Sequence, residues 1–524
     1  PGIIGIAATT WLLQRITIRA AGYHAALYSG LAFAFCAGTA IFTLEVMTDI
    51  ILVFFLTLAM YCLLLAFDDS FRSLAPVIGF FAAVGGAMMT KSLLGLAFPV
   101  GATILFAFAI RQRPSISIKK VALGCSLTGL IVIPWHIVAE LRNPGFLENV
   151  IINQQVLRFV GQMPVKDSLN VPLGLFWLLL FAWIFPWTLF LPASVRLFLS
   201  KSQNSSLRRI RILCLSWITV VLLVLSFSGR LEHYAFPVLP PLAILAGLAL
   251  ASEDRLVSRW VSRGFKATAF IAGILFVIGI AILTLEIGAI GGSMLGWEKP
   301  AAEVTSDYSV MLELPAEILS QLLGWPLIAT VFGLSGGFLI AFFLERSRKK
   351  VWAVISIVVG MSVFVISASK SLAICEPILS SRAFGEELAK SHQPDDAVVI
   401  LGDFWTASSI AFYAPTRIYL HGGEARSFHI AQQFPDAPKL KLSRDELLEL
   451  WQSDKRIFIL GEPEKIENLK LEESYTVVKS GGRVLIRNSA IGNKSAKFPE
   501  TTALICNSHQ GSSVLLQQAS LPRR

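Results

Sequence analysis

FTLEVMTDIIL, residues 42–52, sets two carboxylates at the mouth of a long apolar run. Asp49 immediately precedes the run Ile50 to Leu65, and Glu45 lies four residues back. One helical turn would therefore turn both acids the same way. Ionisable groups at a membrane boundary are costly to desolvate, so those found there usually bind or react with something. The competing reading is a helix N-cap by Asp49 with Thr48 beside it, favourable at the positive end of the helix dipole. A cap needs one acid, and here there are two.

Working outward, 54% of the 524 residues are hydrophobic and only 15% are charged. The mean hydropathy is +0.65, whereas a soluble domain carries roughly one quarter charged residues. The chain reads as a polytopic α-helical membrane protein. Its formal charge of +10 is explained by basic cytoplasmic loops, which sets nucleic acid aside as a partner. Of the six cysteines, Cys36, Cys62, Cys125 and Cys214 lie in apolar runs and Cys375 and Cys506 stand alone. Neither metal-site nor disulfide spacing is present. The run Gly2 to Leu13 is about half the length of a span, with no basic stretch or cleavage site to make it a signal peptide. The chain is expected to continue upstream of Pro1.

Apolar runs of spanning length fall near 22–41, 50–66, 74–90, 92–110, 121–138, 172–195, 212–228, 234–251, 267–290, 325–344 and 351–369. With the partial first run they predict about twelve helices. Alternating the loops puts twenty Lys and Arg residues on one side. The short loops opposite hold six: Lys91, Arg142, Arg158, Lys166, Arg230 and Lys299. The richer side is cytoplasmic by the positive-inside rule, so Glu45 and Asp49 face outward, on the far side of a cytoplasmic (inner) membrane.

The other unusual polar stretches fall on that outer side. Lys91, in TKS, occupies a very short hairpin between two helices. PWHIVAELRNPGFLENVIINQQVLRF, residues 134–159, leaves a helix and continues as an interfacial segment. Phe146, Val150, Ile151, Val156, Leu157 and Phe159 form its apolar face, with Asn149, Asn153, Gln154 and Arg158 opposite. Trp177, Trp183 and Trp187 read as lipid-facing or interfacial aromatics. SGRLEHYAFPVLPPLAILAG, residues 228–247, packs Arg230, Glu232, His233 and Tyr234 together before a Pro-rich helix start. Arg230 offers a planar fork suited to phosphate, and His233 and Tyr234 can donate hydrogen bonds.

From Glu376 the composition changes. AVVILGD (397–403), TRIYLHG (416–422) and KRIFILG (455–461) read as short buried strands with helical patterns near 404–413 and 443–452 between them. YTVVKSGGRVLIRN (475–488) reads as a hairpin. A small outer α/β domain is expected over 376–490, with a disordered polar tail over 491–524. No nucleotide-binding glycine pattern is present.

The order of a TD helix start, a short outer TK, a PWHIVAELRNPGF segment ending in RF, and SGRLEHY with its following prolines resembles a known family. It resembles the GT-C membrane glycosyltransferases of the protein mannosyltransferase and aminoarabinose transferase type, over roughly residues 1–370. The resemblance implies a polyprenyl-phosphate sugar donor and inverting transfer, on the outer face, to a lipid, glycan or protein acceptor. The residue chemistry agrees with that implication: Lys91, Arg158, Arg230, His233 and Tyr234 suit the donor phosphate, and Asp49 and Glu45 the catalytic site as acidic ligands or orienters. The resemblance also implies a principal acid in a first outer loop, which would lie upstream of Pro1 and whose absence would leave residues 1–524 inactive. Leaving-group charge needs those cations or a divalent metal. Asn153, Gln154 and Gln155 are poorer ligands than the Glu or His that relatives carry there, so Glu45 and Asn153 are the residues a metal would draw on. The competing classes are a secondary transporter, whose sites sit at the midplane of repeated halves, and a non-catalytic scaffold for envelope assembly. The outer-edge placement of the polar clusters favours the enzyme.

Overall fold

The computed structural model describes residues 2–44, 47–111, 116–157, 171–200, 204–228, 230–289, 322, 324–391, 393–425, 432, 437–471 and 473–489. It divides into two compact units, Pro1–Glu376 and Pro377–Arg524. The tail expected over 491–524 lies outside the described residues.

Among the described residues, eight helices are long and apolar enough to cross a membrane, or ten if each of two bent pairs is one span. Two of these each hold two of the expected runs. Gly2–Ala34 is interrupted at Gly22 (φ 76°), and a Cβ on Gly30 would lie 2.7 Å from Nε2 of Gln14. In one straight helix those two residues would sit about 24 Å apart, so the chain folds back at Gly22. Ala75–Ile110 breaks likewise at Lys91 (φ −139°, ψ 32°) and Ser92 (φ 44°, ψ −121°). There a Cβ on Gly95 would lie 2.2 Å from the carbonyl carbon and oxygen of Ala87. Only a residue with no side chain lets the two arms approach so closely. Divided at these two turns, ten spans become twelve.

Asp49–Asp68, the central helix of the site described below, has 67% of its apolar window buried, second among the described spans to the 78% of Glu232–Ala251, against 6% for Ile118–Arg142 at the periphery. It is apolar on every side, as a helix enclosed by others must be. Behind it two broken helices satisfy each other. The amide of Ala37, freed where the chain bends after Ala34, donates to Phe185 O at 2.8 Å, and Trp187 Nε1 donates to Phe35 O at 3.3 Å. Inside a membrane such backbone groups need internal partners. Trp187 is thus fully buried and Trp183 half-buried, whereas Trp177 alone of the three is exposed. The lipid-facing reading holds for Trp177 only, because the broken backbone claims Trp187.

The basic end of the bundle is tied by its own cations. Asp68, at the far end of the central helix, meets Arg19 at 2.9 Å and Arg209 at 3.2 Å. Lys120 Nζ donates to the carbonyls of Phe71 and Arg72, and Lys350 Nζ to that of Leu250. Cations at helix C-termini neutralise the negative end of the dipole and satisfy orphaned carbonyls.

The second unit is a five-stranded sheet in the order β2-β1-β3-β5-β4: β1 Ala397–Leu401, β2 Arg417–His421, β3 Ile457–Gly461, β4 Ser474–Ser480 and β5 Arg483–Asn488. β1 pairs parallel with β2 and β3, and β5 pairs antiparallel with β3 and β4, the latter through the Gly481–Gly482 turn. β1 and β3 are buried along their whole length, and separate apolar clusters cover the two faces. That is why their sequences run apolar without alternating.

Gly95→Ala should lower stability by about 1–3 kcal/mol, the cost of overpacking a close contact. Thermal melting in detergent reads this directly, and an unchanged melting temperature would contradict the hairpin packing at Ala87.

Candidate functional site

Asp49 is the first residue of the central helix, and Thr48 before it makes no side-chain cap. The cap reading would have Asp49 spend its carboxylate on backbone amides. Instead Oδ2 lies 3.0 Å from Lys91 Nζ, with the Asp49 side chain 6% and the Lys91 side chain 24% exposed. The break at Lys91 and Ser92 puts this lysine at the tip of its hairpin, where its side chain reaches the mouth of the neighbouring helix. The positive end of the Asp49–Asp68 dipole favours the carboxylate there.

A second element closes over the pair. After Leu231, Glu232–Val238 forms a 3-10 turn that leads into the Leu239–Ala251 helix, with prolines in its first turn. Tyr234 on this turn holds its ring 5.1 Å from Lys91 Nζ, a cation–π contact. His233 stands edge-on to Tyr234 at 4.8 Å and to Phe42 at 6.4 Å. Phe42 in turn packs on Trp183 at 4.9 Å and Phe236 at 5.3 Å. Asp49, Lys91, His233 and Tyr234 come from three separate stretches of the chain and meet in one place, backed by an aromatic wall.

Arg230 is used differently. Its Nε donates to Val171 O at 3.1 Å, and its Nη1 to Ser226 O at 2.9 Å and Ser228 O at 3.3 Å, while Val171 N donates to Arg230 O at 2.9 Å. This guanidinium caps the end of the Ser205–Ser226 helix and ties it to the chain at Val171. Whatever it offers a phosphate, it first holds backbone.

Asn153 lies in the interfacial stretch, where Phe146–Glu148 starts a helix that continues as a π-helix over Asn149–Leu157. The wider winding turns the faces away from those that an α period predicts. Ile151, Ile152 and Val156 are exposed, while Val150 and Leu157 are partly covered. Glu45 and Arg158 lie outside the described residues. Among the described residues no three His, Cys, Asp or Glu side chains come together as a metal site. Phe42, in the aromatic wall of the site, is the participant that the sequence alone does not mark. It is one apolar residue among many in its run.

With this geometry in place, the chain is a multi-pass membrane protein with the GT-C fold. The family described as dolichyl-phosphate-mannose-protein mannosyltransferase matches residues 2–149. Undecaprenyl phosphate-alpha-4-amino-4-deoxy-L-arabinose arabinosyl transferases are similar in sequence. The one from Aeromonas salmonicida is 27% identical over 207 residues, 39% of this chain and 36% of its own length. That from Pectobacterium carotovorum subsp. carotovorum is 28% identical over 220 residues, 40% of this chain and 36% of its own. The matched part thus spans little more than a third of these relatives. The crystal structure of ArnT from Cupriavidus metallidurans bound to undecaprenyl phosphate superposes with a TM-score of 0.71 at 18% identity, covering 94% of this chain and 83% of that one. The chain thus shares the fold of the Cupriavidus metallidurans protein and is similar over part of its length to the aminoarabinose transferases and to the protein mannosyltransferase family.

Lys91→Met should leave Asp49 charged, buried and unpaired, at a cost of about 3–5 kcal/mol. The double variant with Asp49→Asn should recover much of that loss. Additive losses in a double-mutant cycle would show that the two groups are not coupled in the folded protein.

Proposed function

We propose that this protein is an inverting glycosyltransferase. It moves a sugar from a polyprenyl-phosphate donor to an acceptor hydroxyl on the outer face of the cytoplasmic membrane. The observation that carries the reading is the partly exposed ammonium of Lys91, held between the Asp49 carboxylate and the Tyr234 ring at the mouth of the central helix. An ammonium has three donors. Asp49 holds it as an ion pair, and its hydrogen bonds suit a phosphate oxygen at the headgroup level. The likeness to transferases that use undecaprenyl-phosphate-linked aminoarabinose supports the same donor class.

In the reaction the acceptor oxygen attacks the anomeric carbon from the face opposite the phosphate. The bond from that carbon to the phosphate oxygen breaks, the hydroxyl proton passes to a base, and the phosphate leaves with the bonding pair. Lys91 stabilises the charge gathering on the phosphate, and preorganised charge of this kind is usually the largest catalytic contribution. Asp49 keeps the ammonium in place. His233 and Tyr234 line the same wall, where they can donate to the phosphate or the sugar. Arg158 remains a proposed phosphate ligand and Glu45 a proposed orienter. Arg230 enters as the clamp that sets the approach to the Glu232–Val238 turn. The mutual satisfaction of the broken helices at Ala37 and Phe185 disfavours the transporter, whose broken helices leave backbone groups for ions and substrates.

Lys91→Ala should weaken donor binding by about 1.5–3 kcal/mol, the range for a charged hydrogen bond, while acceptor saturation changes little. Transfer assayed in membranes with a panel of radiolabelled polyprenyl-phosphate sugars reads this, and unchanged donor saturation would refute the assignment. Arg230→Lys keeps the charge but cannot span Val171 and Ser226 with one planar group. It should lower thermal stability without any ligand present, whereas a purely ligand-binding arginine would lower only the stabilisation that the donor adds.

A further inference from the structure

The stretch after Arg142 is built around a carboxylate that the reaction above does not use. Glu140 Oε1 accepts the amide of Gly145 at 3.0 Å, and Oε2 accepts that of Leu147 at 2.7 Å. Gly145 sits at φ 91°, in the left-handed region where glycine is at ease. Phe146 then packs on Trp135 at 5.4 Å and on His136 at 6.3 Å. Beyond this turn, none of the residues of Phe146–Leu157 whose burial is described is fully buried. The direction of the segment therefore depends on the turn itself.

Its position along the membrane follows from the fold. Lys120, near the start of Ile118–Arg142, is bonded to Phe71 and Arg72, just past the far end of the central helix. A helix of 25 residues is about 37 Å long, enough to return to the level of Asp49. The segment leaves the membrane at the Asp49–Lys91 end. It presents Ile151, Ile152 and Val156 outward, while Oδ1 of Asn149 is buried without a hydrogen-bond partner. An orphaned buried acceptor is expensive unless something fills it. A π-helix, rare in itself, tends to occur where a site needs it.

Resting on the lipid-phosphate reading above, we infer that Glu140 is a positioning residue for the donor. It locks the turn that holds Phe146–Leu157 as the rim of the donor site, apolar side to the lipid and Asn149 inward. Losing the carboxylate frees both amides together and lets the rim swing away.

The test uses the full chain in lipid nanodiscs, with undecaprenyl phosphate as the probe. Glu140→Ala should speed amide exchange at Gly145 and Leu147, leave exchange in Asp49–Asp68 unchanged, and weaken undecaprenyl phosphate binding about tenfold, the worth of one charge-assisted hydrogen bond. Glu140→Gln keeps one acceptor oxygen and should fall between the two, which guards against a misfolded alanine variant. Faster exchange with unchanged lipid binding would overturn the inference, as would no change in exchange. If the unsubstituted protein itself failed to bind undecaprenyl phosphate, the donor reading would fall first, and that result is separable from the others.

Discussion

The ion pair between Asp49 and Lys91 is the contact on which the rest of the site depends. A carboxylate at 4% exposure survives at a membrane boundary only with a partner, because an unpaired buried charge is far costlier than a paired one. The pair therefore fixes the hairpin tip at Lys91 to the mouth of the central helix. Once the ammonium is held there, Tyr234 can lie across it and bring His233 and the Glu232–Val238 turn into the same corner. The polar cluster is a consequence of satisfying one acid.

The same economy runs through the remaining cations. At the opposite end, Lys120 and Lys350 close helix C-termini, and Arg19 and Arg209 share Asp68. On the site's side, Arg230 closes the Ser205–Ser226 helix and anchors Val171. These cations hold backbone or an acid, while Lys91 alone of the site's described cations is set against both a carboxylate and an aromatic face.

Much of this was legible in the chain. Spanning runs register simply as apolar length, so the helix near 50–66 is placed within two residues at each end, whereas the one near 351–369 starts as expected but runs on ten residues to Leu379. The TKS hairpin was visible because Lys91 interrupts two apolar runs that are each long enough to span. The central strands of the second unit, β1 and β3, show as uninterrupted apolar runs, and its last hairpin as a Gly-Gly pair. What stayed hidden depends on contacts between distant residues. Nothing local tells that Trp187 serves Phe35 across the broken helices, or that Arg230 faces carbonyls at Val171 and Ser226. The π-helix at Asn149–Leu157 was unreadable for another reason: a periodicity of 3.6 was assumed, and the extra residue per turn moves every face.

The most direct test is a structure of the protein with a polyprenyl phosphate bound. A phosphate oxygen is expected about 2.7–2.9 Å from Lys91 Nζ, the length of a charge-assisted hydrogen bond, with the Asp49 contact intact and Tyr234 still across the ammonium. A phosphate seated away from the mouth of the Asp49–Asp68 helix, with Lys91 still bound only to Asp49, would contradict the assignment.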